Sequence, residues 1–228
     1  MLAAVLAPTP GRAVEPSDVA YTYGVGTFVP EYAPPAAGTY ELPPIKTVGD
    51  HPVLDEQGRA ATLFDTIGDR LGVIAFVYTT CVEAAGCPVA TGVLQRLDRA
   101  IAGDQELAGK VVLVTMSFDP ARDTPARMAA RRDLHEPAGA WRFLTSRDEP
   151  TLQPLLDDFG QPVGKLRDEH GAWTGLFRHV LKVFLVDGQR RVRNVYSVGF
   201  LHAELVLNDL RTVLRRPETT SRVGANRE

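Results

Sequence analysis

With 25 Lys and Arg against 28 Asp and Glu, a 228-residue chain of net charge −3 lacks the basic surplus that neutralises phosphates, which argues against a nucleic-acid binder. Its 44% hydrophobic and 23% charged residues give it the composition of an ordinary globular protein, and no run approaches the roughly 20 apolar residues that span a bilayer. Two cysteines exclude a disulfide-rich scaffold.

Residues 1–40 are rich in Pro, Ala and Gly and show neither helical nor strand periodicity, so an extended or partly disordered lead-in is expected. The opening "MLAAVLAPTPGRA" has a short apolar stretch without a basic region before it, and reads as a mis-set start or as the remnant of a signal or membrane anchor. The domain itself is expected over 41–215, with 216–228 as a polar tail.

Inside the domain, "HPVLDEQGRAATLF" predicts a hairpin turning near Glu56 to Gly58. "LGVIAFVY" (71–78) is a continuous apolar run of the kind buried on both faces of a sheet. After Pro88, the apolar positions Val89, Val93, Leu94, Leu97 and Ile101 recur at helical spacing. "KVVLVTMSF" (110–118) predicts a second buried strand, and "DTPARMAARRDLHE" (123–136) a helix capped by Thr124 with Pro125 in its first turn.

"AWRFLTS" predicts a third strand, and "DEPTLQPLLDDFG" a helix closed by Gly160. "HVLKVFLVDGQRRVRNVYSV" predicts two strands joined at Asp187-Gly188, and "HAELVLNDLRTVLRR" a closing helix. This order predicts an α/β, thioredoxin-like fold: a central mixed β-sheet flanked by helices, with an N-terminal extension.

Both cysteines, Cys81 and Cys87, lie between the first buried strand and a helix N-terminus, where open α/β sheets place their sites. Amides and dipole at that terminus are expected to lower a thiol pKa below its usual value of about 8.5, most of all for Cys87. Five residues separate the pair, Val82 to Gly86, a loop compatible with a disulfide and with two ligands on one metal. An imidazole is the usual partner of two thiolates on copper or zinc. His51, His135 and His170 stand in polar or helix-end sequence and are expected to be solvated, and His202 to cap or pack. His179 directly precedes the apolar "VLKVFLV", where a lone histidine is ordinarily structural.

A strand ending Phe-x-Tyr-Thr-x-Cys, a second cysteine followed by proline, "SFDPARDTP", and a histidine ahead of a strand ending "FLVD" together resemble the Sco/SenC family of thioredoxin-fold copper proteins. The resemblance implies a copper site, holding Cu(I) or Cu(II), with Cys81, Cys87 and His179 as ligands and Asp119 near the site. It implies a metallochaperone for cytochrome c oxidase assembly, located in the periplasm or otherwise outside the cytoplasm. Its partner would be a copper-receiving protein such as an oxidase subunit. The chain would be a monomer, touching the membrane only through an N-terminal anchor. The spacing departs from the family's usual Cys-x3-Cys, which leaves copper geometry and client open.

Other readings need other groups. A thiol-disulfide oxidoreductase acting on a partner copper protein would use Cys81 and Cys87 as redox-active catalytic residues without a histidine ligand. A thiol peroxidase would need a hydroxyl and an arginine about the attacking sulfur, for which Thr80 with Arg122 or Arg178 are the candidates. Zinc would need a fourth ligand, Glu83 or His170. "DPARDTP" is also explained by turn chemistry alone, with Arg122 and Asp123 paired and Thr124-Pro125 opening a helix.

Overall fold

In the computed structural model the described residues are 32–81 and 86–215. Six strands form the main sheet in the order β1-β10-β9-β4-β5-β6. Strands β4 (Leu71–Val77), β5 (Val111–Ser117) and β6 (Trp141–Leu144) run parallel. On the other side of β4, β9 (Val183–Val186) is antiparallel, followed by β10 (Arg191–Tyr196) and the short β1 (Lys46–Thr47). All seven residues of β4 and of β5 are buried; β4 is apolar throughout, and the two polar residues of β5, Thr115 and Ser117, are each hydrogen-bonded, to Trp141 and Asp123.

Helix α2 (Cys87–Ala102) crosses from β4 to β5 and packs against α5 (Ala203–Arg215). Helix α3 (Pro125–His135) is capped by the Thr124 side chain and leads to β6. Helix α4 (Glu149–Phe159) ends at Gly160, whose φ of 62° is the left-handed cap that glycine adopts without a Cβ clash. Phe159 of α4 meets Phe76 and Phe184 edge to face at 5.4 and 5.1 Å, which ties that helix to the centre of the sheet.

The hairpin expected near Glu56 forms from β2 (Pro52–Leu54) and β3 (Ala60–Thr62). Three further elements had no counterpart in the reading of the sequence: β1, the one-turn helix α1 (Leu63–Ile67), and the hairpin of β7 (Val163–Arg167) and β8 (Trp173–His179). His179 therefore closes a strand of its own. The described part of the lead-in is extended and anchored: Tyr40 and Tyr196 both donate to Asp209, and the Gly38 amide donates to Thr212 at 2.9 Å. This is the thioredoxin-like mixed sheet with flanking helices. The opening "MLAAVLAPTPGRA" and the tail 216–228 lie outside the described residues.

Candidate metal centre

The centre is built at the carboxyl end of β4. The chain leaves the ladder at Val77, whose carbonyl accepts from Phe118 N, and turns at Tyr78 so that Cys81 N reaches the Tyr78 carbonyl at 3.2 Å. One carboxylate fixes this approach. Asp123, fully buried, accepts from Thr79 N at 2.9 Å, from Ser117 Oγ at 2.6 Å and from the Thr79 hydroxyl. Three donors on one carboxylate bind the cysteine approach, the end of β5 and the entry to α3 into one unit. The expected Arg122–Asp123 pair does not form: Arg122 pairs with Asp119, and Asp123 instead has Arg127 at 3.9 Å. The reason is positional, since Asp123 points back towards the strand ends while Arg122 points to β8.

Cys87 is the first residue of α2 and 1% exposed, with Gly86 as N-cap. Cys81 is partly exposed, and the two sulfurs are not joined in a disulfide. His179 reaches the same point from β8. Its ring stands edge-on to Tyr78 at 5.7 Å and tilted against Phe118 at 5.1 Å, and both of those rings also pack on Phe177. Nε2 lies 4.0 Å from Cys87 Sγ, and the donor atoms of Cys81, Cys87 and His179 all lie within 4.8 Å of one another. Donors about 2.0 to 2.3 Å from a common ion are roughly 4 Å apart in a trigonal arrangement, so the trio fits one thiophilic metal with sub-ångström adjustment.

The expected acidic Cys87 is not found. Its S–H bonds to the Cys81 sulfur and its side chain is buried, and together these push its pKa well up, outweighing the helix amides. Both causes favour the neutral thiol of Cys87 over its thiolate while no metal is bound. Burial, with the neighbouring Cys81 as a lesser cause, also pushes the Tyr78 hydroxyl up to about 12.

The other candidates fall elsewhere. Asp119 is 1% exposed; burial raises its pKa in spite of the Arg122 ion pair, and through Arg122 it reaches β8. Thr80 and Arg178 do not assemble with Arg122 into a peroxidase set: the Thr80 hydroxyl makes no hydrogen bond, Arg178 is exposed, and Arg122 is engaged with Asp119 and β8. His170 is exposed, as expected, and stays outside the thiol cluster, while Glu83 lies outside the described residues. Two histidines expected to be solvated are not. His51 pairs with Asp158 at 2.9 Å, and His135 stacks on Trp141 and Phe143, its pKa lowered by burial. The role of Asp123 escaped the sequence, where an aspartate before Thr-Pro reads as an ordinary helix entry.

A mixed sheet with a strand-end dithiol and an imidazole brought in by a neighbouring hairpin defines a thioredoxin-fold protein with a two-sulfur, one-nitrogen site. The SCO1/SenC family model matches residues 41–215, and the chain belongs to that family.

Solved structures agree on the fold. Arabidopsis thaliana ScoI with copper bound is 19% identical, at a TM-score of 0.59 over 73% of this chain and 99% of that one. A SCO1/SenC family lipoprotein from Bacillus anthracis is 22% identical, at 0.61 over 78% and 98%. BsSco is described as carrying a disulfide switch and as a member of the Sco family of cytochrome c oxidase assembly proteins; it is 18% identical, at 0.60 over 77% and 98%. No curated protein sequence matches the chain significantly.

Proposed function

We propose that this protein is a copper-binding metallochaperone that holds one copper ion through the thiolates of Cys81 and Cys87 and the imidazole of His179, within the domain 41–215. The observation that carries the reading is the convergence of three donors from three separate elements within 4.8 Å. Two thiolates suit Cu(I), and the imidazole also accommodates Cu(II). The copper-bound Arabidopsis relative and the assembly role named for BsSco support a handover to a copper-receiving protein such as a cytochrome oxidase subunit. The lipoprotein relative supports a location outside the cytoplasm, and no helix among the described residues is long and apolar enough to cross a membrane.

The test is anaerobic titration of the reduced protein with Cu(I) and Cu(II) against a competing chelator, beside Cys81→Ser, Cys87→Ser and His179→Ala. One tight copper weakened in all three variants is the expected result. Stoichiometric binding unaffected by His179→Ala would remove the histidine from the site, and no binding at all would remove copper.

The hydrogen bond between the two thiols favours a second reading, a thiol-disulfide oxidoreductase. In it the Cys81 sulfur attacks a partner disulfide and Cys87 then displaces the partner's second thiol. This dithiol loses two electrons and two protons as the partner's disulfide becomes a dithiol. Turnover of a disulfide substrate undiminished by His179→Ala, in a protein without copper affinity, would establish that reading over the first.

A further inference from the structure

His179 sits on a sparsely buried element of the domain. In the β7–β8 hairpin only Phe177 is buried, and a cavity of about 310 Å³, lined by Phe118, Leu152, Leu156, Lys165 and Phe177, separates the hairpin from α4. Beyond the ring contacts of Phe177 and His179 with Tyr78 and Phe118, apolar packing does little to fix the hairpin.

One side chain reaches it from the opposite wall. Arg122 Nε donates to the buried Asp119 at the end of β5, while Nη2 donates to the Gly175 carbonyl at 2.8 Å. Its guanidinium lies over the Trp173 ring at 4.6 Å and 5.7 Å from the Phe177 ring. The acceptor is exposed by a bulge. Lys165 faces Phe177 but Arg167 faces Trp173, so β8 carries extra residues around Gly175, whose φ of +85° a side chain would strain. On the hairpin's far side Lys165 lies 4.9 Å from the Trp173 ring and pairs with Glu149 of α4 at 2.6 Å.

We propose that Arg122 is a positioning residue for the metal centre: by bridging Asp119 to the bulge of β8 it sets the depth at which His179 meets the two sulfurs. Phe177 and His179 share one face of β8, two residues apart, so a guanidinium fixed on Phe177 and Gly175 fixes the imidazole by the shortest covalent path. Three simultaneous contacts, to a carboxylate, a carbonyl and an aromatic face, suit the planar fork of arginine and cannot all be reproduced by an ammonium. This inference rests on the copper reading for its effect on affinity, and on the structure alone for its effect on the hairpin.

The experiment uses the full chain as Arg122→Lys, Trp173→Leu and His179→Ala, with the double variant Arg122→Lys/His179→Ala. Hydrogen exchange is measured on the metal-free proteins and Cu(I) affinity by chelator competition. Arg122→Lys retains a charge beside Asp119, and Trp173→Leu removes the stacking face while leaving Asp119 paired. Both are expected to raise exchange of β7–β8 amides about ten-fold while β4 and β5 keep their protection. Both are expected to weaken copper about ten-fold. In the His179→Ala background Arg122→Lys is expected to weaken it no further.

Unchanged hairpin exchange overturns the inference whether or not the protein binds copper. A loss of affinity that persists in the His179→Ala background also overturns it, because Arg122 then acts on the sulfurs or on stability at large. If the wild type binds no copper, the functional reading falls, and the hairpin exchange still decides the positioning role.

Discussion

The sulfurs and the imidazole are held by opposite kinds of architecture. Cys81 and Cys87 hang from a fully buried strand, a sixteen-residue helix and a carboxylate with three donors. His179 ends a two-stranded hairpin most of whose side chains meet solvent, steadied by a few aromatic and cationic contacts. The contrast teaches that one half of the centre is fixed by burial and the other by directional contacts. A site so divided can keep its sulfurs in place while its nitrogen is adjusted.

The comparison breaks most severely at the buried half. Phe76→Ala removes a ring that packs on both Phe159 and Phe184 and is expected to cost about 4 kcal/mol in denaturant unfolding. If the loss is below about 1 kcal/mol, the central strand is not the rigid half. Asp123→Ala strands Thr79 N and two hydroxyls and is expected to cost about 3 kcal/mol. It should also speed alkylation of Cys81, measured by mass spectrometry, because the cysteine approach loses its tie to β5. In the wild type the same reagent is expected to label the partly exposed Cys81 and to spare the buried Cys87. Early labelling of Cys87 would show that the buried half opens.

Acid sharpens the comparison more gently. Burial works to raise the Glu56 pKa, but the Arg142 fork and the Phe143 amide more than reverse it, so the folded value lies below the ordinary 4.5. Its contribution is complete above that ordinary value and is lost as pH falls through the folded one. Asp187, held down by Arg191 and Arg193 against burial, behaves alike below its ordinary 3.8. Unfolding midpoints should therefore fall as pH is lowered past about 4.5, and less steeply in Glu56→Gln. The smallest effect is expected from Trp173→Ala. Its global stability should change by about 1 kcal/mol, because the ring is only half-buried and serves the hairpin rather than the core.

How far the sequence could be read follows the same division. The runs 71–78 and 110–118, and the helical spacing after Pro88, announce buried elements because burial on both faces admits few polar residues, and Thr115 and Ser117 are tolerated only with hydrogen-bond partners. The thiol pair stood out by being the only two cysteines. The β7–β8 hairpin was not legible because, although burial alternates along β8, an inward position is taken by Gly175 and an outward one by Leu176, and β7 carries Gly164 and Lys165 at exposed positions, so the residue types do not show the alternation. His179 could be singled out by its place before an apolar run and by family resemblance, not by the strand that carries it. The partners of Asp123 and Arg122 could not be read, since Thr79 and Gly175 are 44 and 53 residues away in sequence. Nor could the raised pKa of Cys87, which depends on how deeply the sulfur is buried and on its neighbour.

The position of β9 beside β4 also sets the order in which the centre can be assembled. Strand β4, helix α2 and strand β5 close on one another through a short stretch of chain, whereas Cys87 and His179 are 92 residues apart and meet only when β9 joins the sheet. Closing the longer loop costs more entropy and comes later. The two thiols are therefore expected to be gathered before their imidazole, so that an oxidant or a metal ion meeting the chain at that stage would find a dithiol and not the finished centre.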